Sequence, residues 1–495
     1  MKTNNVVAII ANTLLCLFLV LGFLCFFSAA WYVRVYGRIG FESILYTLTA
    51  SLGGVEKNLV RSYLIEGFFP ALLCSGLSAL LLLRKSPLFG KIPMFSMPSW
   101  LRPALCIVVS FVLILHAAFN VELVNYIHMR LSPPSSLYES EYQDPRQANI
   151  TFPEQKRNLI YIMLESMETS YMSAEDGGAL PYNLIPELTS LAENNINFSH
   201  NNSVGGFSSV WGVGWTIASM VAQTSGVPLV TPVGEENSFG ANGSFLPGLT
   251  NLHNILQDNG YSQALMVGSD AEFGGRKTYY TTHGIDKIYD LYTARADGIV
   301  PEGYYAGWGI EDKYLFSYAK QKILQMAEGS APFAFTMLTV DTHHIGGYIC
   351  EDCQDTYEEQ YENVISCSSK QVGAFISWLQ QQDFYENTTI VIVGDHCSMD
   401  NGYFSRNVDE GYTRHIYNCF INAAATPTQT KNRQYNAMDL FPTTLAAMGC
   451  WIPGDRLGLG TNLFSTLPTL LEEMGYATFN SELSKDSLYY TNNFY

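Results

Sequence analysis

Residues 158–166 read NLIYIMLES, six apolar residues from Leu159 to Leu164 closed by Glu165. Three later runs share the plan. Ala264–Val267 (ALMV) ends in Gly268 and a polar loop reaching Arg276, and Phe333–Val340 (FAFTMLTV) ends in Asp341-Thr342-His343-His344. Thr389–Val393 (TIVIV) ends in Gly394-Asp395-His396. Between them lie segments of helical length, such as Pro186–Asn194 and Ser369–Gln380. Short apolar strands alternating with helices predict an α/β domain with a largely parallel central sheet, covered on both faces. Ligands in open α/β sheets bind at the carboxyl ends of strands. Four strands here deliver a carboxylate, a guanidinium, imidazoles and an Asp-His pair to one edge. That pattern predicts a site.

The first quarter of the chain has a different character. No charge falls between Lys2 and Arg34 or between Arg102 and Glu122, and only Glu66 interrupts Arg61 to Arg84. About 20 apolar residues cross a bilayer as a helix. Three transmembrane helices are therefore expected, near residues 6–31, 62–83 and 103–123. The alternative for the first, a cleaved signal peptide, requires a shorter apolar run. Arg84, Lys85, Lys91 and Arg102 mark the loop between the second and third helices as cytoplasmic, although Arg34, Arg38, Lys57 and Arg61 flank the opposite loop. Three spans then place the N-terminus inside and the residues after 123 outside the cytoplasm. Residues 35–60 form a connection with an amphipathic centre, suited either to the membrane surface or to packing on the soluble part. We expect an anchor over 1–130, a polar linker over 131–154, a catalytic domain over 155–480 and a peripheral tail over 481–495.

Charge follows the same division. Residues 1–130 carry +6 within a chain of −18, so the remainder carries −24. So acidic a soluble part argues against nucleic acid as a partner. Four cysteines, Cys16, Cys25, Cys74 and Cys106, lie in the apolar spans, while Cys353 and Cys367 enclose a short loop that a disulfide could close.

Glu165, Asp395 and His396 offer two carboxylates and one imidazole. This mixed set suits one divalent ion, with Mn²⁺ expected and Mg²⁺ or Zn²⁺ as alternatives, and is too poor in oxygen for a Ca²⁺ cage. Singly, Glu165 could pair with a base and Asp395 could cap a helix. Together they are costly to bury without a cation. A nucleophile belongs beside such an ion. The segment SVGGFSSVWGVGWTIASMVAQTSGVPL (203–229) supplies a Gly-rich loop and then Thr216, which opens a helix-like stretch. Free N–H groups at a helix start favour phosphate; the plainer reading makes Thr216 an N-cap. Ser208 and Ser209 are rival hydroxyls. His253 is expected on a helix surface, and His283 and His344 as pocket walls or ordinary residues.

The runs NLIYIMLES, WTIASMVAQTSGVPL, LTVDTHH and GDH resemble the phosphoglycerol transferases of the alkaline phosphatase/sulfatase superfamily. That family includes lipoteichoic acid synthases and the enzymes that decorate periplasmic glucans; the second group is the closer likeness. The resemblance covers about residues 155–465. It implies an alkaline phosphatase/sulfatase-like fold behind a three-helix anchor, and a bacterial inner membrane as the membrane that the anchor crosses. It also implies Glu165, Thr216, Asp395 and His396 as metal ligands, Thr216 as nucleophile, His343 as a phosphate-binding or proton-moving residue, and Arg276 as a phosphoglycerol ligand. The lipoteichoic acid synthases carry a histidine where this chain has Val267, and a tryptophan where it has Gly274. No cysteine has proline two residues on, which sets aside the formylglycine sulfatases, and only one convincing ligand set argues against two-zinc phosphatases.

The function implied is transfer of phosphoglycerol from phosphatidylglycerol to an envelope glycan or lipid through a threonine-linked intermediate. A phosphoethanolamine transferase and an inactive envelope scaffold are the alternatives.

Overall fold

The computed structural model of the chain describes residues 2–37, 40–49, 57–83, 98, 100–231 and 243–495. It forms two compact units, Met1–Phe41 with Val55–His128, and Glu42–Gly54 with Met129–Tyr495.

The first unit is helical. Lys2–Tyr36 is one helix, Lys57–Tyr63 continues through a π-turn at Leu64–Phe68 into Phe69–Leu83, and Leu101–Asn120 is the third rod. Three segments, Ile9–Tyr36, Leu59–Leu81 and Leu101–Asn120, are long and apolar enough to cross a membrane. The first runs past its expected end at residue 31 because Arg34 interrupts the apolar run but not the helix; it pairs with Glu66 of the second. A Cβ on Gly22 would come within 2.9 Å of the Ser110 backbone. Such small residues let apolar helices approach closely. The basic residues Arg84, Lys85 and Lys91, Arg38, and positions 50–56 of the connecting segment lie outside the described residues.

The amphipathic connection contains a helix, Phe41–Thr49, which groups from Glu42 onward with the second unit. There Tyr46 is buried and donates to the Gly274 carbonyl at 2.5 Å. Packing on the soluble part is thus the arrangement found.

The second unit is built on seven strands: β1 (Asn158–Leu164), β2 (Gly206–Phe207), β3 (Ser262–Val267), β4 (Lys287–Tyr289), β5 (Phe333–Leu338), β6 (Thr388–Gly394) and β7 (Ile416–Ile421). Their order is β2-β7-β6-β1-β5-β3-β4. Strands β6, β1, β5, β3 and the edge strand β4 run parallel, and β7 and β2 are antiparallel to their neighbours. This is the α/β architecture the four apolar runs predict. Every residue of β1, β5 and β6 is buried. Ile160, Ile162 and Leu164 share one cluster with Leu188 of the Pro186–Asn194 helix and with Val372, Phe375 and Ile376 of the Gln360–Leu379 helix. Tyr161 points to the opposite face, where its hydroxyl donates to Gln223 of the Thr216–Ser225 helix at 3.0 Å. A continuous apolar strand is what a sheet covered twice requires, at ~1.5–3 kcal/mol per buried aliphatic side chain.

Two boundaries differ from expectation for definite reasons. β5 ends at Leu338 rather than Val340, because the amides of Val340 and Asp341 bond to the Asp312 carboxylate instead of the ladder. The helix expected over Ser369–Gln380 begins at Gln360. Residues 481–495 are not peripheral: Tyr490 and Phe494 are buried, and both rings pack against buried Tyr138.

Candidate metal and phosphoryl-transfer site

Strand register builds the centre. β1 and β6 pair Leu164 with Gly394, so Glu165 and Asp395 emerge side by side, and the Asp395 amide closes onto the Leu164 carbonyl at 3.0 Å. Gly394 is required here, since a Cβ would fall 1.9 Å from the Met167 carbonyl oxygen. Asp395 Oδ1 accepts from the amides of Ser166 (2.8 Å) and His396 (2.7 Å). Its Oδ2 is buried with no hydrogen-bond partner and lies 3.4 Å from His396 Nε2. The His396 Nδ1–H donates to the Cys397 carbonyl at 2.9 Å, which leaves Nε2 with its lone pair facing Glu165 Oε1 at 3.7 Å. Glu165 is fixed through its backbone, its amide donating to Thr339 Oγ1 at 3.0 Å and its carbonyl accepting from Thr342 Oγ1 at 2.5 Å.

The electrostatics of this cluster favour a cation. Burial, and then the neighbouring Glu165 charge, push Asp395 up to about 7. Burial works against charged His396, but the Asp395 and Glu165 carboxylates outweigh it and raise its pKa. Two carboxylates in one buried site favour any added positive charge. Glu165, Asp395 and His396 present ligand atoms within 4.8 Å of one another. An orphaned carboxylate oxygen and an imidazole fixed in its ligating tautomer fit a divalent cation.

Thr216 joins this trio. Trp215 is the N-cap of the Thr216–Ser225 helix, with extended backbone (φ −145°, ψ 160°), and Thr216 is the first helical residue. Its hydroxyl caps nothing. Instead Oγ1 lies 3.3 Å from His396 Nε2 and 3.5 Å from Glu165 Oε2. The helix is pinned to the end of β6, with Ser219 Oγ donating to the Asp395 carbonyl and Gln223 Nε2 to the Gly394 carbonyl at 3.0 Å. Its first amides, which have no intrahelical acceptor, open beside Thr216.

The comparisons with known proteins bear on this geometry. A family model described as Sulfatase matches residues 157–450. The chain belongs to the sulfatase family. Members of its superfamily depend on metal, and this chain has a matching acidic group. It is 33% identical over 333 residues to phosphoglycerol transferase I of Xanthomonas campestris pv. campestris (strain B100), covering 66% of this chain and 44% of that protein. It is 31% identical over 337 residues to phosphoglycerol transferase I of Escherichia coli (strain 55989 / EAEC), covering 66% and 41%. The chain thus spans less than half the length of these relatives. Among solved structures, the integral membrane protein lipooligosaccharide phosphoethanolamine transferase A (EptA) from Neisseria meningitidis aligns with TM-score 0.51 and 14% identity, over 89% of this chain and 84% of that one. At that identity the likeness is one of fold.

Elsewhere in this sulfatase-family domain, Arg276 is buried. Its guanidinium donates to Phe273 O (2.9 Å), Ser269 Oγ (2.9 Å) and Asp270 O (2.8 Å). Among the described residues no carboxylate pairs with it, and burial lowers its pKa against the opposing pull of Glu165 and Asp270. A guanidinium held this way by neutral acceptors retains charge for an anion. His343 donates from Nδ1 to the His344 carbonyl at 2.8 Å, leaving Nε2 as a base, and burial lowers its pKa to about 4.

Three residues had no sequence signal strong enough to single them out. The Trp308 ring stands 4.3 Å from His343 and 5.7 Å from Phe273, whose ring in turn covers Arg276. Trp308 comes from a different loop from that of Arg276, and only a pairing of residues 308 and 343 across the sheet edge would have found it. Glu168 and Arg414 form a buried ion pair that holds the strand-end segment. Arg414 Nε donates to Glu168 at 2.7 Å and Nη2 to Ser398 O at 2.7 Å, while Glu168 accepts the Ser398 amide at 2.9 Å. Two further histidines are held in the core by hydrogen bonds. His253 is fully buried, not on a helix surface, because Nδ1 pairs with Gln263 at 3.0 Å and the ring packs on Tyr280. His283 is held between Asn254 and the Phe245 carbonyl. The Ser208 backbone bridges to Asn436, and among the described residues neither Ser208 nor Ser209 has a hydrogen bond to Glu165, Asp395 or His396, as Thr216 does.

Proposed function

We propose that this chain transfers a phosphoglycerol group from phosphatidylglycerol to a hydroxyl of an envelope glycan or lipid, outside the cytoplasm, through a phosphodiester on Thr216. One observation carries the reading: a threonine hydroxyl at a helix start, free of any capping role, faces Glu165 and His396 beside an unpaired Asp395 oxygen. A lipid donor accords with three apolar spans on the same chain, and the phosphoglycerol group with the relatives being phosphoglycerol transferases I.

Glu165, Asp395, His396 and Thr216 would hold one divalent ion. Bound there, such an ion acts as a Lewis acid that favours the threonine alkoxide and balances phosphoryl charge. The chain's own residues do the rest. Thr216 Oγ1 forms a bond to phosphorus, and the bond from phosphorus to the diacylglycerol oxygen breaks, that oxygen leaving with a proton. The helix amides and the Arg276 guanidinium steady the phosphoryl oxygens. His343, neutral with a free Nε2, takes the proton of the acceptor hydroxyl as its oxygen displaces Thr216 from phosphorus. The phosphorus carries one ester in and one ester out.

The test is incubation of the purified chain with phosphatidylglycerol and no acceptor. The expected result is release of diacylglycerol and a glycerophosphate adduct on the peptide holding Thr216. Turnover of phosphatidylethanolamine alone, with an ethanolamine phosphate adduct, would assign the other head group. No adduct and no release from either lipid would favour a scaffold.

A further inference from the structure

Cys350, Cys353 and Cys367 meet on the far side of the loop that carries His343. Cys350 Sγ lies 3.5 Å from Cys353 Sγ and 3.8 Å from Cys367 Sγ, and all three sulfurs lie within 4.8 Å of one another. Cys353 and Cys367, which enclose the loop a disulfide could close, meet with Cys350 between them, and all three cysteines are free. Two are buried and the third is half-buried. Gln371, one turn after Cys367 in the Gln360–Leu379 helix, closes the fourth side. Its amide nitrogen lies 3.4 Å from Cys367 Sγ and 3.6 Å from Cys350 Sγ, and its amide oxygen is buried with no partner.

In this orientation the amide N–H groups face the sulfurs and the amide oxygen is left buried without a partner. The amide oxygen and nitrogen are interchangeable by a half-turn of the side chain, and the half-turn points the orphaned oxygen at the sulfurs. A tetrahedral zinc ion with Zn–S of ~2.3 Å and Zn–O of ~2.1 Å has S···S edges of ~3.8 Å and S···O edges of ~3.6 Å. Four of the six edges, at 3.4–3.8 Å, lie close to that figure, and the Cys353 and Cys367 sulfurs are within 4.8 Å of each other. The sequence spacing also fits. Cys350 and Cys353 form a C-x₂-C pair on a turn, the Cys353 amide donating to the Cys350 carbonyl at 3.2 Å, and Cys367 comes from a helix. A single disulfide would satisfy two sulfurs and leave a third buried beside an unpaired amide oxygen; one cation satisfies all four.

We propose that Cys350, Cys353, Cys367 and the Gln371 carboxamide oxygen form a second cation site, selective for a borderline-soft d¹⁰ ion such as Zn²⁺. Its thiolate ligands set it apart in chemistry from the oxygen-rich Glu165/Asp395/His396 centre. With no open position it is structural, tying the segment after His343 to the Gln360–Leu379 helix. It does not depend on the proposed transfer reaction.

The test uses full-length protein in detergent, stripped of metal under reductant and titrated with Co²⁺. The expected result is an intense sulfur-to-cobalt charge-transfer absorption in wild type that persists in Asp395→Ala/His396→Ala and disappears in Cys367→Ser. In protein as isolated, all three thiols should resist alkylation until a chelator is added, a readout that stands even if Cys367→Ser fails to fold. Absence of the charge-transfer band in reduced wild type would overturn the proposal. So would peptide mapping that finds two of the three sulfurs joined as a disulfide in the isolated protein.

Discussion

Thr216 Oγ1 lies 3.3 Å from His396 Nε2, while Trp215 and not Thr216 occupies the cap position of the helix that follows. An N-cap threonine changed to alanine costs ~1 kcal/mol. Here no cap bond is lost, so Thr216→Ala should cost less than about 0.5 kcal/mol, yet abolish diacylglycerol release. Thr216→Ser should retain part of the activity because its oxygen reaches the same neighbours. Ser208→Ala and Ser209→Ala should be tolerated. Release by Thr216→Ala at the wild-type rate would remove the threonine from the mechanism.

Asp395 and His396 make the second prediction. Removing both should eliminate metal from the oxygen-rich centre, and turnover with it, while leaving the fold in place. The strand-end backbone is held independently by Gly394, by the Leu164–Asp395 amide bond and by the Glu168–Arg414 pair. Equilibrium dialysis against Mn²⁺ measures the loss. Binding of one equivalent by the double alanine variant at wild-type affinity would show that the ion is held elsewhere.

Arg276 and Trp308 should affect donor recognition differently. A buried guanidinium without a carboxylate partner contributes a charge-assisted contact of roughly 1.5–3 kcal/mol to an anionic ligand. Arg276→Gln should therefore lower kcat/KM for phosphatidylglycerol by about 10- to 100-fold. Trp308→Ala removes the ring that packs on His343 and Phe273 without removing charge and should act through KM more than kcat. Equal kinetics of both variants and wild type would place the head group in another pocket.

Orientation is directly measurable. A periplasm-dependent reporter fused after residue 150 should be active, and one fused near residue 92 inactive. The reverse pattern would put the catalytic unit in the cytoplasm, and with it the acceptor.

The sheet and the positions of its strand ends were readable because buried parallel strands are continuously apolar, so a charged residue at the end of LIYIML or TIVIV stands out. β2 and β7 were not. Gly206–Phe207 is two residues long, and Ile416–Ile421 carries Asn418, whose amide nitrogen donates to the Phe198 carbonyl at 2.8 Å. A polar residue satisfied by tertiary contacts hides a strand from a hydrophobicity pattern. The start of the Gln360–Leu379 helix was hidden likewise by Ser366, Ser368 and Ser369, all buried. The four residues grouped around Thr216 could be proposed from their places at strand and helix ends. Trp308 and the Glu168–Arg414 pair could not, because partners 35 and 246 residues distant meet only through topology.

His253 supplies a stability prediction with a definite sign. Its ring is fully buried, with Nδ1 paired to Gln263 and Nε2 facing no acceptor, and burial lowers its pKa from 6.5 to about 4. Protonation would place an unpaired N–H⁺ in the core, so the folded state keeps this imidazole neutral while the unfolded chain takes up a proton near pH 6.5. Between those values the unfolded state binds more protons, so stability rises with pH. The contribution of His253 is complete above pH 6.5 and is lost as pH falls towards 4, by about 3 kcal/mol in all. His253→Gln, which keeps an amide partner for Gln263, should reduce the slope of unfolding free energy against pH in that window by about 1.4 kcal/mol per unit. His283 and His415 are lowered similarly, so a slope should persist in the variant, shallower by one proton. Denaturant unfolding at a series of pH values measures it, and an unchanged slope would mean that His253 is charged in the native protein.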